Sequence, residues 1–161
     1  MSSLLIPIQM RFGDIDSYGH VNNVTMLQYL EDARVRLMSG PLPGGAVAGA
    51  PADATFRSLL GDRMTVIGRQ EVEYTEQLLY RADPVFVRVW VSSVGGSSFV
   101  LDYAVQEEDG SRVYAVAQTV VVVIDRSTGR PERLDEAPRS ALAQWSDAST
   151  RFARRPVPAE A

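Results

Sequence analysis

The spacing of hydrophobic residues divides the chain into a helical first part and a strand-rich second part. Downstream of Val21, apolar residues recur every three or four positions, at Val24, Leu27, Leu30, Ala33 and Leu37. Gly40 and Pro41 then supply a stop signal. The pattern predicts a largely buried helix that ends near Met38. A Gly-, Pro- and Ala-rich loop over residues 40–54 and a short helical turn over 56–60 should follow it.

After this region the apolar residues alternate with a period of two, which is typical of β-strands. Four segments show this alternation and are bounded by turn residues: 65–78, 84–94, 98–106 and 112–124. Glu108-Asp109-Gly110 predicts a hairpin turn between the last two. A first strand is predicted over Leu4 to Phe12, and a short helix near Ser140 to Trp145.

The order of these elements predicts an α+β fold in which a five-stranded antiparallel sheet wraps around one long central helix. Five strands offer one large apolar face, and only one long helix is available to cover it. The last strand is apolar on both faces, so a further covering layer, such as another subunit, is expected behind it. We expect one domain over residues 1–138, with a C-terminal helix and a disordered tail over 139–161.

Composition excludes several classes of protein. The chain has 161 residues, a net charge of −4 and no cysteine, which excludes disulfides, thiolate metal sites and cysteine nucleophiles. A net negative charge argues against a sequence-independent nucleic-acid binder. The N-terminus has no basic region, and Pro7 and Gln9 interrupt its apolar run, so we expect neither a signal peptide nor a membrane span. A cytoplasmic location is therefore expected.

The densest cluster of polar residues lies just before the predicted helix, in the stretch R-F-G-D-I-D-S-Y-G-H-V-N-N. Helix N-terminal amides are unpaired and can hold a developing oxyanion, and a nearby carboxylate can act on water or on a carbonyl. Asp16 is the candidate carboxylate. His20, the only histidine, could hydrogen-bond to Asp16. One of Asn22 and Asn23 should cap the helix, which leaves the other free to orient substrate or water.

Other interpretations of this stretch remain open. Asp14 and Asp16 could serve only as turn and capping residues. A calcium loop fails, because Tyr18 replaces an oxygen ligand and Thr25 stands where that loop needs glutamate. No metal site is expected, since no second ligand cluster supports one. Ser17 lies beside the cluster, but the chain has no G-x-S-x-G elbow, so Ser-His-Asp catalysis is a weaker hypothesis.

The segment from Arg11 to Arg34 resembles the signature of hotdog-fold acyl-CoA thioesterases of the 4-hydroxybenzoyl-CoA thioesterase type, and its H-V-N-N motif is similar to that of plant acyl-carrier-protein thioesterases. The resemblance implies that Asp16 is the catalytic carboxylate, that the oxyanion is held by a backbone amide close to Asn23, and that His20 takes part in catalysis. It implies a substrate-binding role for further residues: Tyr18, Gly19, Asn22, Met26, Ser97, Ser98, Phe99 and Arg133. Tyr18 departs from the plant motif, which has asparagine there.

This resemblance implies hydrolysis of an acyl-CoA or acyl-carrier-protein thioester to a carboxylic acid and a thiol. Asp16 could deprotonate water or attack the carbonyl directly, and both routes stay open. No cofactor is expected, because coenzyme A enters as part of the substrate. A homodimer or homotetramer is expected, with the acyl chain in a subunit seam lined by residues such as Met26, Tyr29 and Phe99. The alternatives are a hotdog hydratase or dehydratase and a non-catalytic acyl-thioester binding protein.

Overall fold

Five strands and three α-helices make up the computed structural model, which describes residues 3–154. The strands are β1 (Leu4–Ile8), β2 (Arg63–Tyr74), β3 (Val85–Val94), β4 (Ser98–Gln106) and β5 (Val113–Asp125). The helices are α1 (Asn23–Ser39), α2 (Phe56–Leu59) and α3 (Glu136–Ala143), and a 3-10 turn covers Phe12–Asp14. None of the helices in this part of the chain is long and apolar enough to cross a membrane.

The strands form one sheet in the order β1-β3-β4-β5-β2, and every neighbouring pair is antiparallel. The predicted five-stranded antiparallel sheet is therefore confirmed. Two strands end earlier than predicted. The first strand stops at Ile8 because the chain turns into the 3-10 turn, and β2 stops at Tyr74 because the amides of Thr75 and Glu76 both donate to the carbonyl of Tyr114. α3 begins four residues before its predicted start, at Glu136.

Helix α1 packs on one face of the sheet, here called the inner face. The predicted alternation in β3 is confirmed, because Val85, Val87, Val89 and Val91 are all fully buried on this face. From the helix, Leu30, Ala33 and Leu37 meet them in the core. Burial of these aliphatic side chains is the main force that fixes α1 against the sheet. On the solvent side of α1, Arg36 forms an ion pair with Asp32 one helical turn earlier, at 2.8 Å.

Two side-chain contacts mark the ends of the region between α1 and the inner face of β2; we call this region the α1–β2 groove. At its start the Tyr74 hydroxyl donates to the carbonyl of Asn23 (2.9 Å), and at its end the Thr65 hydroxyl donates to the Met38 sulfur (4.0 Å). Ile67, between these contacts, is exposed. β2 is also an edge strand, and no described strand pairs with its outer side. This side of the fold is therefore the least covered.

The opposite, outer face of the sheet is crossed by residues 146–154, here called the C-terminal segment. The Trp90 indole donates to the carbonyl of Ala148 (2.8 Å), the amide of Thr150 donates to Asp102 (2.5 Å), and the amide of Arg154 donates to Glu73 (2.7 Å). This segment supplies a covering layer behind β4 and β5 from the chain itself. Residues 151–154 of the predicted tail belong to it, and the rest of that tail lies outside the described residues.

Candidate active site

Asp16 opens a tight turn that is closed by backbone hydrogen bonds. Its amide donates to the carbonyl of His20 (2.8 Å), and its carbonyl accepts from the amide of Gly19 (3.1 Å). Its Oδ1 accepts from the amides of Tyr18 (2.9 Å) and His20 (3.3 Å). Gly19 has a φ of +82°, a conformation that favours glycine. The turn fixes one carboxylate oxygen of Asp16, while Oδ2 has no donor among residues 3–154.

The turn is joined directly to the start of α1. Ile15 and Val21 pair as an antiparallel bridge on either side of it, and the amide of Asn22 donates to the carbonyl of Asp14 (2.8 Å). Asn22 is the predicted helix cap, because its side chain accepts from the amide of Val24 (2.8 Å). The amide of Asn23 has no partner within the described chain. An anchored carboxylate and a free helix amide are thus held by the same short segment.

Asp14 has a structural role in this arrangement. Its Oδ2 accepts from the amide of Arg11 (2.9 Å) and from the hydroxyl of Tyr29 (2.6 Å), so it ties the turn to α1. Burial and the hydrogen bond to Asp14 raise the pKa of Tyr29 well above its ordinary value of 10.0. The hydroxyl therefore stays protonated and donating throughout the neutral range.

Substituting Tyr29→Phe is expected to lower the free energy of unfolding by about 1 kcal/mol at pH 7, because Asp14 loses a buried donor. The pKa of Tyr29 is higher in the folded protein than its ordinary value of 10.0, so the protonated hydroxyl stabilises the fold fully below pH 10. This stabilisation is lost as the pH rises further. The difference between native protein and variant should therefore shrink in strong alkali. Urea unfolding at pH 7 and pH 10.5 measures both effects, with Tyr80→Phe as the exposed control; an equal loss in the two variants would contradict the role of Tyr29.

Exposed apolar side chains surround the turn. Phe12 is 77% exposed and Tyr18 is 82% exposed, and Leu79 is also exposed. Phe12 packs edge-on against Tyr80 with ring centroids 5.8 Å apart. The segment that carries Leu79 is held beside the turn by a bond from the amide of Val21 to the carbonyl of Leu78 (2.8 Å). A cluster of large apolar groups around a polar turn is typical of a binding surface.

The residues predicted for the site from the first part of the chain fall in this region. Asp16, Tyr18, Gly19 and His20 share the turn, and Asn22 and Asn23 begin α1. The predicted contact between Asp16 and His20 is made through the His20 amide, not through its imidazole. Met26, one helical turn later, is buried in the core of its own chain.

The remaining predicted residues lie at the other end of α1. Phe99 is buried against Phe56, with ring centroids 5.3 Å apart. It pairs with Val121 of β5, and Val121 pairs in turn with Ile67 of β2. Phe99 therefore lies towards the end of the α1–β2 groove. Ser97 and Ser98 precede it. Arg133 is nearby, since its carbonyl accepts from Arg63 (2.8 Å). The 17 residues of α1 span about 25 Å. Within a single chain, these residues therefore lie far from Asp16.

A basic cavity of about 190 Å³ lies at that same distant end. Arginines 57, 63 and 126 line it together with Met38, Phe56 and Leu60. Arg63 is held by Asp135 (2.6 Å), whereas no described partner engages the guanidinium groups of Arg57 and Arg126. No local sequence pattern predicts this cavity, because its arginines come from three separate segments. Nowhere in residues 3–154 do three or more His, Asp or Glu side chains come together as metal ligands.

The antiparallel sheet and the helix on its inner face place the protein in the class of hotdog-fold proteins. The chain belongs to the thioesterase-like superfamily, whose family model matches residues 10–145.

Solved structures with this fold agree with that assignment. A thioesterase from Thermus thermophilus, complexed with coenzyme A and Zn, is 31% identical with a TM-score of 0.65, and the match covers 86% of this chain and 95% of that one. A putative acyl-CoA thioesterase from Xanthomonas campestris is 28% identical with a TM-score of 0.60, over 80% and 98% of the two chains. The uncharacterized protein YsmA of Bacillus subtilis strain 168 is 27% identical over 124 residues, which are 76% of this chain and 74% of YsmA.

Proposed function

We propose that this protein is an acyl-CoA thioesterase that releases a carboxylic acid and coenzyme A, and that Asp16 is its catalytic carboxylate. The observation that carries this proposal is the joining of the Asp16 turn to the start of α1, where the amide of Asn23 is free. The superfamily supports thioester hydrolysis in general. Coenzyme A in the Thermus thermophilus structure supports the choice of thioester. The sequence motif supports a relation to the 4-hydroxybenzoyl-CoA type.

In the proposed reaction, the thioester carbonyl oxygen accepts a hydrogen bond from the amide of Asn23, and charge that develops on that oxygen is stabilised by the helix start. Asp16 Oδ2 faces the carbonyl carbon. It either takes a proton from an attacking water or attacks the carbon itself to form a mixed anhydride, which water then hydrolyses. The tetrahedral intermediate collapses with loss of the thiolate. The imidazole of His20, a partly buried residue, is a candidate for protonating this leaving group.

We propose that two copies of the chain form a homodimer through the edge of β2. Two features support this arrangement: the free outer side of a 12-residue strand, and the apolar side chains exposed around the turn, Tyr18 among them. A two-fold axis that pairs the β2 strands antiparallel would bring the start of one α1–β2 groove beside the end of the other. The basic cavity of one copy would then lie near Asp16 of the second.

This arrangement provides a place for the coenzyme A phosphates. Arg57 and Arg126 in the basic cavity offer two unengaged guanidinium groups, and Arg133 is exposed close by. Guanidinium groups bind phosphate through paired hydrogen bonds. Ser97, Ser98 and Phe99 also lie at this end of the groove, so their proposed substrate contacts would be made with thioester bound at Asp16 of the other copy.

Substituting Ile67→Asp is expected to convert the dimer into monomers and to reduce hydrolysis in parallel, because a charge would have to be buried at the subunit contact. The chain mass is 17.7 kDa, so light scattering during size-exclusion chromatography separates monomer from dimer clearly. Leu5→Asp is the matched control, since Leu5 is similarly exposed on β1, at the opposite edge of the sheet. A monomeric native protein, or dissociation by Leu5→Asp alone, would contradict the proposed interface.

The experiment that tests the activity is a thiol-release assay on the native protein with a panel of acyl-CoA and acyl-carrier-protein thioesters. The panel should include short, medium and long saturated chains and aromatic acyl groups. The proposal expects hydrolysis of at least one acyl-CoA well above the spontaneous rate. Binding of acyl-CoA without hydrolysis would replace it by the acyl-thioester binding alternative, and addition of water to an enoyl-CoA by the hydratase alternative.

A further inference from the structure

The first residue of α1 is tied to the sheet by the side chain that ends β2. The hydroxyl of Tyr74 donates to the carbonyl of Asn23 at 2.9 Å. A carbonyl oxygen has two lone pairs, so it can accept this bond and its intrahelical bond at once. Within residues 3–154 this is the only hydrogen bond between a strand and the first turn of α1. The place of the helix start on the sheet therefore depends on one tyrosine hydroxyl.

The start of α1 needs such a contact, because helix ends have fewer intrahelical bonds than the middle and fray readily. The cap at Asn22 engages the amide of Val24, but it joins the helix only to the residue before it. Tyr74, by contrast, belongs to a strand that is held by pairing with β5, where Tyr74 lies opposite Ala115. Its hydroxyl therefore fixes the helix start relative to the sheet.

Tyr74 is itself held from its other side by the C-terminal segment. The Arg154 guanidinium donates to the carbonyl of Tyr74 (2.5 Å), and the amides of Ala153 and Arg154 donate to the carboxylate of Glu73 (3.2 and 2.7 Å). These bonds reach the end of an edge strand, where a strand has the fewest partners and opens most easily. A continuous series of contacts thus runs from Arg154 through Tyr74 to Asn23.

We propose that Tyr74 is a positioning residue for thioester hydrolysis, which holds the amide of Asn23 in place to receive the carbonyl oxygen, and that Arg154 supports it. The inference rests on the proposed function, which assigns the oxyanion to that amide. Tyr74 acts through Asn23, because its hydroxyl is already engaged there. A displacement of about 1 Å at a catalytic contact can slow a reaction on the order of a hundredfold, so this bond should matter more for the rate than for stability.

The test compares two non-hydrolysable analogues of acyl-CoA with equal chain length by calorimetry. One is a 2-oxoalkyl thioether, which keeps a carbonyl group, and the other is an alkyl thioether, which has none. The ratio of their dissociation constants reports the contact with the carbonyl oxygen. In Tyr74→Phe we expect the preference for the ketone to fall several-fold, while affinity for the alkyl thioether is kept. For hydrolysis, kcat should fall about tenfold and KM should change less than about twofold.

A neighbouring hydroxyl provides the matched control. Thr75→Val removes a bond from the Thr75 hydroxyl to the carbonyl of Val113 (2.6 Å), which lies away from α1. This variant should lower the urea midpoint about as much as Tyr74→Phe does, but it should keep the ketone preference and kcat.

The C-terminal segment offers a second pair of variants. Arg154→Met should weaken the ketone preference and kcat in the same direction as Tyr74→Phe but to a smaller extent, and it leaves a readout if Tyr74→Phe proves unstable. Arg151→Met removes an exposed guanidinium of the same segment that has no partner among the described residues, and it should change neither quantity.

The outcomes separate the two proposals. Native kcat in Tyr74→Phe, or an equal loss of the ketone preference in Thr75→Val, overturns the positioning role and leaves the proposed function standing. Equal affinity of the native protein for both analogues also overturns this role. Conversely, a Tyr74-dependent preference for the ketone without hydrolysis of any thioester would support the role of Tyr74 in a binding protein and overturn the enzymatic proposal.

Discussion

Replacing Asp16 by asparagine is expected to lower kcat/KM for acyl-CoA hydrolysis by about a thousandfold. The substitution removes the group that takes the proton or attacks the carbonyl, and such groups contribute on the order of 10²- to 10⁴-fold. The turn itself should survive, because the asparagine Oδ1 can accept the same bonds from the amides of Tyr18 and His20. Thiol release followed at saturating and limiting substrate measures the loss.

The matched control is Asp62→Asn, which removes an exposed carboxylate from the turn just before β2 and should hydrolyse at the native rate. Thermal unfolding of Asp16→Asn should lie close to that of the native protein, which would show that the loss is chemical. Near-native hydrolysis by a pure, folded Asp16→Asn protein would rule out the assignment of this residue, whatever substrate is used.

Replacing Asp102 by alanine is expected to lower the free energy of unfolding by about 3 kcal/mol. Asp102 is fully buried and accepts from the hydroxyl of Ser92 (2.5 Å), the amide group of Gln118 (3.1 Å) and the backbone amide of Thr150 (2.5 Å). Alanine would leave three partly buried donors without this acceptor, and an unpaired donor costs about 1–3 kcal/mol when no water can replace the lost acceptor. Urea unfolding monitored by circular dichroism measures the change.

The same substitution should release the C-terminal segment from the outer face, because the bond to Thr150 lies in the middle of its path. Hydrogen exchange of amides in residues 146–154 should become faster in Asp102→Ala before global unfolding begins. Asp102→Asn is the control, since it keeps an acceptor for Thr150 and should lose less stability. Unchanged exchange in this segment together with a stability loss under 1 kcal/mol would contradict the proposed role of Asp102.

Hydrophobic periodicity carries enough information to predict most of the fold. The stripe from Val24 to Leu37 predicts α1, although Val24 itself is exposed at the first turn of the helix. The alternating valines of β3 identify the face that α1 covers, because each side chain is buried or exposed according to the repeat of its element. Turn chemistry at Gly110 completes the hairpin between β4 and β5. The ends of two strands and the start of α3 differ from the prediction, since backbone bonds such as those to the Tyr114 carbonyl decide where an element ends.

The C-terminal segment could not be predicted because its contacts have no periodic signal. Its hydrogen bonds join backbone groups to side chains far away in the sequence, as with Thr150 and Asp102 or Arg154 and Glu73. A short polar run of this kind has the composition of an unstructured end. Asp102 itself gives a hint, because an acid within a strand of otherwise apolar residues must find donors if it is buried.

The candidate site was predictable only where its residues are consecutive. The turn from Asp16 to His20 and the cap at Asn22 are local, so their residue types and spacing identify them. The positions of Phe99 and Arg133 depend on strand register and on assembly, which a single sequence does not encode in any local pattern.

The path of the C-terminal segment has a practical consequence for labelling. Residue 154 reaches the far edge of the sheet, where the Arg154 guanidinium donates to the carbonyl of Tyr74, and the Tyr74 hydroxyl in turn contacts the first residue of α1. A fluorophore or immobilisation handle attached at Arg154 would therefore lie in the neighbourhood of the proposed reaction centre. The same group attached to β1 would lie at the opposite border of the sheet.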